Sequence, residues 1–208
     1  MTLDINKIDA IIFDLGGVII NLDTNATVAA FAKLSGKSFE EISNAYEKAD
    51  FFKTYEVGAI SDAEFRAAIR KSLDITASDQ LIDEAWNAML LEIPFSRISA
   101  FKKLKKDFKL FVMSNTNHIH IRKFNEIFEA LNTGDHFTDY FDKVYYSQEI
   151  AARKPNSNAW TPILAEYNLE AQRALFIDDR LDNIEAAKKL GLLTFHNQEL
   201  NDWLSLLR

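Results

Sequence analysis

A short apolar run that ends in a single aspartate limits the folds open to this chain. The sequence is continuously apolar over 11–13, Asp14 follows, and Gly16 and Gly17 precede a second apolar run. A strand without polar alternation is typical of a parallel sheet that is buried on both faces. We therefore expect Asp14 at the carboxyl edge of such a sheet, where open α/β folds bind ligands, with the strand pattern ending near Leu22. The two glycines would let the backbone turn sharply beside the carboxylate.

Strand and helix patterns alternate in the second half of the chain. After Pro94, apolar residues recur at helical spacing between short apolar runs, and a last helical pattern covers 200–207. Alternation of this kind predicts an α/β fold, with a Rossmann-like, doubly wound parallel sheet. The remaining predicted strands lie at 110–113, 143–146, 174–177 and 192–195.

The stretch between the first and second strands is helical throughout. Gly36 is placed to end a first helix, and Ser61 with Glu64 forms a capping box that begins another. Residues 51–60 are aromatic and less regular. We expect a core domain of residues 1–22 and 95–208 and a separate all-helical domain of residues 23–94 over the sheet edge.

Composition narrows the choice of function. The 208 residues are 48% hydrophobic, carry a net charge of −7 and include no cysteine. The negative charge argues against nucleic-acid and anionic-membrane partners. Disulfides, thiol catalysis and cysteine-based zinc sites are excluded. No apolar run approaches the ~20 residues that span a bilayer, and the N-terminus lacks signal-peptide order, so we expect a cytoplasmic protein, monomeric or weakly dimeric.

Three predicted strands end in polar residues that can meet at one edge of the sheet, and two of these ends carry carboxylates. Asp14 follows the first strand, and Asp178 and Asp179 follow another. Three carboxylates held close together repel one another unless a cation lies among them. Because the ligands are hard oxygens without histidine or cysteine, the pattern favours Mg²⁺.

The other polar residues at this edge suit a phosphate group. Ser114 and Asn115 follow a strand and precede a helix, so the hydroxyl and nearby backbone N–H groups can bind an anion. Lys154 adds a compact positive charge that would stabilise a phosphoryl group in transfer. With the phosphate neutralised in this way, Asp14 could attack phosphorus as a nucleophile.

Four segments together resemble the haloacid dehalogenase (HAD) superfamily. They are residues 13–18, 113–117, 153–155 and 177–179, which occur in the order of that family's motifs. The resemblance implies that the helical stretch is a C1-type cap. The sequence is most similar to the phosphatase branch that includes α-glucose-1-phosphate phosphatases and the N-terminal domain of soluble epoxide hydrolase. It implies a small phosphorylated metabolite as substrate and an aspartyl-phosphate intermediate.

The resemblance also assigns roles to single residues. Asp14 would be the nucleophile, Ser114 would bind phosphate, and Lys154 would join phosphate and nucleophile. The Mg²⁺ ligands would be Asp14, the carbonyl oxygen of Gly16, Asp179 directly, and Asp178 directly or through water. Tyr55 and Glu56 are candidate substrate contacts from the cap, and packing explains Tyr55 equally well.

One position departs from the family pattern. Many HAD phosphatases have a general acid–base aspartate two residues after the nucleophile, where this chain has Gly16. General acid–base catalysis contributes ~10²–10⁴-fold, so another group must supply the proton or the leaving group must need little help. His118 and a metal-bound water are the candidate donors. A sugar 1-phosphate, whose leaving hydroxyl is relatively acidic, is therefore an expected substrate.

Several alternatives stay open at this level. A haloacid dehalogenase would need no metal, and the acidic pair at 178–179 argues against it. A catalytically weakened binding or regulatory protein is a third possibility. Ser114 could also be a helix N-cap. Asp182 with Glu185 resembles a capping pattern, which we prefer to metal binding. The three tryptophans fit helical stripes and are interpreted as core residues.

Overall fold

A single parallel sheet of five strands forms the centre of the molecule. The computed structural model describes residues 7–207; residues 1–6 and 208, which fall in the expected core domain, lie outside it. The strand order is β3-β2-β1-β4-β5, and every adjacent pair is parallel. The α/β class and the doubly wound sheet are thus confirmed. The strands are β1 (Ala10–Phe13), β2 (Lys109–Ser114), β3 (Lys143–Tyr146), β4 (Ala174–Asp178) and β5 (Leu193–His196).

The sheet is buried on both faces, as its continuous apolar strands require. Alternate residues of β1 enter different cores: Ile11 and Phe13 belong to one cluster, and Ala10 and Ile12 to the other. Pairing of Phe13 with Val112 on one side and with Ile177 on the other fixes the register. This register brings the carboxyl ends of β1, β2 and β4 to the same edge.

Within residues 7–207, ten α-helices surround and extend this sheet. Six of them lie between β1 and β2, and the first five form the stretch that the sequence predicts to be a separate helical domain: α1 (Thr24–Ser35), α2 (Phe39–Lys48), α3 (Phe51–Glu56), α4 (Asp62–Leu73) and α5 (Asp79–Asn87). The other five are α6 (Phe95–Leu104), α7 (His118–Glu129), α8 (Ser147–Ile150), α9 (Thr161–Glu166) and α10 (Leu181–Lys189). Within residues 7–207, no helix combines the length and the apolar character that crossing a membrane demands.

Helices α1–α5, the helical insert, have a hydrophobic core of their own. Phe65, Ile69 and Trp86 are buried in it, together with Ile119 from α7. The predicted capping box of Ser61 and Glu64 is confirmed at the start of α4. The chain enters and leaves the insert through two antiparallel segments, since the backbone of Asn21 exchanges hydrogen bonds with residues 91 and 92.

Three local expectations were wrong, and one open alternative is excluded. The strand at Asp14 does not continue to Leu22, because β1 ends at Phe13 and Gly17 turns the backbone with φ = 70°. The aromatic stretch at 51–60 includes a regular helix, α3. The predicted terminal helix is a 3₁₀ helix, Asp202–Leu207. Ser114 ends β2 and is not an N-cap, since Asn117 caps α7.

Candidate active site

The sheet edge brings one lysine between two of the predicted carboxylates. Lys154 Nζ lies 2.8 Å from Asp14 Oδ1 and 2.7 Å from Asp178 Oδ2, and its side chain is 1% exposed. Asp14 Oδ1 also accepts a hydrogen bond from the backbone N–H of Leu15 at 2.6 Å. Within residues 7–207, Asp14 Oδ2 has no hydrogen-bond donor. The carboxylate is therefore held through one oxygen while the other is left available.

The cluster carries more negative charge than Lys154 can neutralise. Burial raises the pKa of Asp14 above its usual value, Lys154 opposes that rise, and Asp178 and Asp179 add to it. Burial and Asp178 likewise raise the pKa of Asp179. Burial alone would lower the pKa of Lys154, but the Asp14 and Asp178 carboxylates outweigh it. Three carboxylates and one ammonium leave an excess of two negative charges, which a divalent cation would balance.

The geometry around Asp179 fits such a cation. One oxygen from each of Asp14, Asp178 and Asp179 lies within 4.8 Å of the others. Gly17 makes room for this arrangement: a Cβ there would lie 2.4 Å from Asp179 Oδ2. Asn183 donates to Asp178 at 3.0 Å, while its own Oδ1 is buried without a protein partner. An oxygen-rich cluster with an unpartnered amide oxygen suits Mg²⁺ and its bound water.

The predicted phosphate-binding residues adjoin this cluster in different ways. Ser114 is buried at the end of β2 and lines the cavity described below. Asn115 also lines it. Its amide donates to the carbonyl of Lys154 at 2.8 Å and accepts from the N–H of Lys154 at 2.8 Å. Asn115 therefore fixes the backbone that carries Lys154, and its second amide N–H stays a candidate phosphate donor.

Three side chains that the sequence did not single out as site residues hold the loop after Asp14. Asn197 donates to the carbonyl of Gly17 at 2.9 Å, Trp203 Nε1 donates to that of Val18 at 3.1 Å, and Arg97 donates to that of Ile19 at 2.9 Å. Arg97 and Trp203 are almost fully buried. The tryptophan was interpreted as core only, and no short-range pattern marks the other two residues, since all three lie far from the loop in sequence.

A cavity of about 420 Å³ opens above the cluster, between the sheet edge and the helical insert. Its floor includes Asp14, Ser114, Lys154 and Asp179. The wall combines apolar, charged and neutral polar side chains. The apolar residues include Leu22, Tyr46, Phe52, Trp86, Met89, Leu90 and Phe124, the charged ones are Glu47, Lys53, Glu56, Arg153 and Arg180, and the neutral polar ones include Thr116 and His120.

The two candidate contacts from the insert differ. Glu56 lines the cavity, and its carboxylate accepts from Arg153 Nε at 2.8 Å. Tyr55 is 1% exposed, stacks on Phe65 and donates its hydroxyl to Asp62 at 2.6 Å. The expectation that Tyr55 reaches substrate was therefore wrong, because its ring is packed inside the insert.

The two histidines of α7 also differ. His118 is exposed, its Nδ1 lies 3.1 Å from the amide of Gln148, and it does not line the cavity, so it was the wrong candidate for a proton donor. His120 does line the cavity, with Nδ1 at 2.9 Å from Asn87 Oδ1. Burial lowers the pKa of His120 to about 3, so its ring is neutral near pH 7.

Asp182 has a different partner from the one expected. Arg180, not Asp182, is the N-cap of α10 and makes no side-chain cap bond, so the capping pattern of Asp182 with Glu185 was wrong. Asp182 does accept a hydrogen bond from the backbone N–H of Asn183 in the first turn, at 3.0 Å. Asp182 pairs with Arg180 at 2.8 Å. The spacing of Asn183, five residues after Asp178 and in the first turn of the following helix, is the signal that could have identified it.

With the site described, comparison with known proteins places the chain in a family. The profile of the haloacid dehalogenase-like hydrolases matches residues 8–191. The chain belongs to this hydrolase family, which confirms the resemblance inferred from the four motifs.

Individual relatives agree over nearly the whole chain. D-ribitol-5-phosphate phosphatase of Bacteroides thetaiotaomicron is 28% identical over 193 residues, or 93% of each protein. The crystal structure of HAD family enzyme BT-2542 from the same organism, a complex with magnesium and inorganic phosphate, superposes with a TM-score of 0.85. It is 32% identical, with coverage of 97% of this chain and 100% of that one.

A dehalogenase shares the fold at lower similarity. L-2-haloacid dehalogenase from Xanthobacter autotrophicus superposes with a TM-score of 0.61 at 18% identity, covering 91% of this chain and 77% of that one. Similarity at this level concerns the fold alone.

Proposed function

We propose that this protein is a Mg²⁺-dependent phosphatase that hydrolyses a small phosphorylated metabolite through an aspartyl-phosphate intermediate. The observation that carries the proposal is the position of Asp14: one carboxylate oxygen is held by Lys154 and the Leu15 N–H, and the other is available at the cavity floor. A nucleophile needs this combination of fixed orientation and an unengaged lone pair.

The chain's own groups account for the transfer. Asp14 Oδ2 attacks phosphorus, the ester P–O bond breaks and an alcohol leaves; water then hydrolyses the acyl phosphate and restores the carboxylate. Lys154 and the Ser114 hydroxyl neutralise and orient the phosphoryl oxygens. Asn115 contributes by fixing the backbone of Lys154.

Asp14, Asp179 and the carbonyl of Gly16 would hold Mg²⁺, with Asp178 and Asn183 reaching it directly or through water. When bound, the ion supplies positive charge that offsets the carboxylates and polarises the phosphoryl group. Two facts support it: the excess negative charge of the cluster and the magnesium complex of BT-2542.

Gly16 leaves the protonation of the leaving group to something other than an aspartate at that position. A Cβ at Gly16 would lie 2.5 Å from Leu22 Cδ1, so an apolar side chain fills the direction in which a residue there would point. With His118 outside the cavity, a metal-bound water is the remaining donor of the two considered. Because general acid catalysis by an aspartate is absent at this position, the reaction depends more strongly on a leaving group of low basicity.

The helical insert acts in this proposal as a C1-type cap, with residues 23–94 as its bounds. It supplies Phe52, Glu56 and Trp86 to the cavity wall and would exclude water from the reaction. A relative named for D-ribitol 5-phosphate supports sugar or polyol phosphates as the substrate class. That compound is a primary alkyl phosphate, so the proposal extends beyond sugar 1-phosphates.

The experiment measures hydrolysis of p-nitrophenyl phosphate by the purified protein with Mg²⁺ and with EDTA. We expect activity that EDTA abolishes and that Asp14→Asn lowers by at least ~10³-fold, because the covalent route is lost. His118→Asn, outside the cavity, is the matched control and should retain activity. Phosphate released by wild type without a hydroxylamine-sensitive phosphoenzyme would contradict the intermediate.

A halide-release assay on 2-chloropropionate separates the other possibilities. Activity there without Mg²⁺ would favour a dehalogenase. Absence of turnover on either compound, with normal folding and Mg²⁺ binding, would favour a binding protein. Sugar 1-phosphates and polyol phosphates assayed in parallel then rank the substrate classes by kcat/KM.

A further inference from the structure

His120 is a buried polar residue of the cavity wall that the proposed chemistry does not use. His120 is 9% exposed and lines the cavity. Its neutral ring has Nδ1 at 2.9 Å from Asn87 Oδ1. Because an amide oxygen only accepts, Nδ1 carries the proton and Nε2 is left with a lone pair. Among residues 7–207, no donor reaches Nε2.

The ring is held rigidly by both the core and the insert. Trp86 stacks on it with the ring centroids 4.6 Å apart and the planes 15° apart. Asn117 Oδ1 accepts from the backbone N–H of His120 at 3.0 Å and from Trp86 Nε1 at 3.3 Å. A side chain fixed at its backbone, its face and one nitrogen presents the other nitrogen in one direction.

Part of the lining of the same cavity offers no free donor to this acceptor. Met89, Leu90 and Phe124 are apolar, and the indole N–H of Trp86 is already given to Asn117. His120 lines the cavity, so a ligand that fills this part of it would take water away from Nε2. An acceptor that is buried in this way without a new partner is costly, since it loses its water and gains nothing in return. A ligand that fills this part of the cavity must therefore supply a donor.

We infer that Nε2 of His120 accepts a hydrogen bond from a hydroxyl on the carbon skeleton of the leaving group, which makes His120 a specificity-determining residue for polyhydroxy phosphate esters. This inference rests on the proposed phosphatase function and narrows its substrate class. A site built to hydrogen-bond a hydroxyl rejects an analogue that lacks it more strongly than an apolar pocket can.

The test compares two esters of equal chain length, ribitol 5-phosphate and n-pentyl phosphate, with p-nitrophenyl phosphate as a measure of the chemistry alone. Wild type should prefer ribitol 5-phosphate in kcat/KM. His120→Phe keeps a ring on Trp86 but removes the acceptor, so that preference should fall about 10- to 100-fold. Any loss on the other two esters should be much smaller than the loss on ribitol 5-phosphate.

Asn87→Leu is the second variant, for use if His120→Phe does not fold. It keeps the imidazole but removes the acceptor that holds the proton on Nδ1, so the proton can move to Nε2. The same preference should fall by about three- to tenfold. Equal losses on all three esters would overturn the inference by making His120 a positioning residue, and so would an unchanged preference or a wild type that prefers n-pentyl phosphate. If wild type hydrolyses none of the three with Mg²⁺, the proposed function itself has failed; normal turnover of p-nitrophenyl phosphate would show that only the hydroxyl contact is wrong.

Discussion

Arg153 and Lys154 are adjacent in sequence, yet they serve two regions of the site that are built differently. Lys154 is fully buried between two carboxylates at the sheet edge. Arg153 points to the helical insert and pairs with Glu56, where the two side chains are 30% and 23% exposed. Lys154 is thus withdrawn from solvent and held on two sides, whereas the Arg153–Glu56 ion pair keeps part of its contact with solvent.

This difference assigns separate tasks to the two regions. Groups in a low-dielectric environment interact strongly and do not reorganise, as transfer of a phosphoryl group requires. The insert side combines apolar side chains with partly exposed ion pairs, which are weak and easily exchanged. We therefore expect substitutions at the sheet edge to affect stability and chemistry, and those on the insert to affect the choice of substrate.

The largest effect should come from breaking the buried ion pairs. Lys154→Met leaves Asp14 and Asp178 buried without their cation, so we expect a loss of about 3–5 kcal/mol in the free energy of unfolding and loss of activity. Arg153→Met should cost only about 0–1 kcal/mol. Urea unfolding of both variants in EDTA measures the difference. Equal losses would contradict the contrast between the two regions.

A second comparison uses two glycines with nearly equal backbone angles. Gly17 and Gly36 have φ values of 70° and 69°, so alanine at either position costs about 1–2 kcal/mol of strain. Only at Gly17 would the new Cβ meet Asp179; at Gly36 nothing lies within 4 Å. Gly17→Ala should therefore lose additional stability and bind Mg²⁺ at least about tenfold more weakly.

Calorimetric titration with Mg²⁺ provides the measurement, and Gly36→Ala provides the control, which should bind as wild type does. If both variants keep the wild-type affinity, Asp179 does not depend on the space that Gly17 leaves.

The sequence predicted the parts of the site that follow from strand ends. Asp14, Ser114 and Asp178 each end or follow a buried strand, and parallel pairing then brings them together with little further information. The helices of the insert other than α3 were likewise predictable, because the cap of α4 and the stop at Gly36 depend on contacts within a few residues.

What the sequence could not predict depends on contacts that are distant along the chain. Tyr55 and Glu56 are neighbours in sequence, but α3 is oriented so that the ring of Tyr55 packs inside the insert and Glu56 lines the cavity. His118 and His120 differ in the same way. The apolar residues after Asp14 were predicted to continue the strand, but they form a turn. That turn is held by side-chain donors nearly 80 or more residues away, which the local sequence does not reveal.

A third prediction tests those donors through two buried tryptophans. Trp203 Nε1 donates to the carbonyl of Val18, whereas Trp160 Nε1 is buried without a partner. Phenylalanine removes similar apolar area at either position, but only Trp203→Phe leaves a buried carbonyl unpaired. We expect it to cost about 1.5 kcal/mol more than Trp160→Phe in urea unfolding. A larger loss for Trp160→Phe would mean that packing outweighs the hydrogen bond.

The smallest predicted effect is the pH dependence of stability that His120 contributes. This residue lies between the sheet edge and the insert. Burial lowers the pKa of His120 to about 3, below the ~6.5 of an unfolded histidine, so between these values the unfolded chain binds a proton that the native protein does not. The contribution of His120 to stability is therefore fully present above pH ~6.5 and is lost progressively as the pH falls below that value. Between pH 7.5 and 5.5 that loss is about 1.4 kcal/mol.

His120→Asn removes this term, so its stability should decline less than that of wild type over the same interval, by about 1.4 kcal/mol. Urea unfolding at the two pH values measures it, and His118→Asn, on the exposed side of the same helix, is the matched control. Carboxylates elsewhere titrate in all three proteins and cancel in the difference. An identical decline in wild type and His120→Asn would mean that the ring is protonated, or reached by water, in the native protein. In the first case Nε2 would carry a proton. In the second, solvent would reach His120 on the insert side of the cavity, as it reaches Arg153.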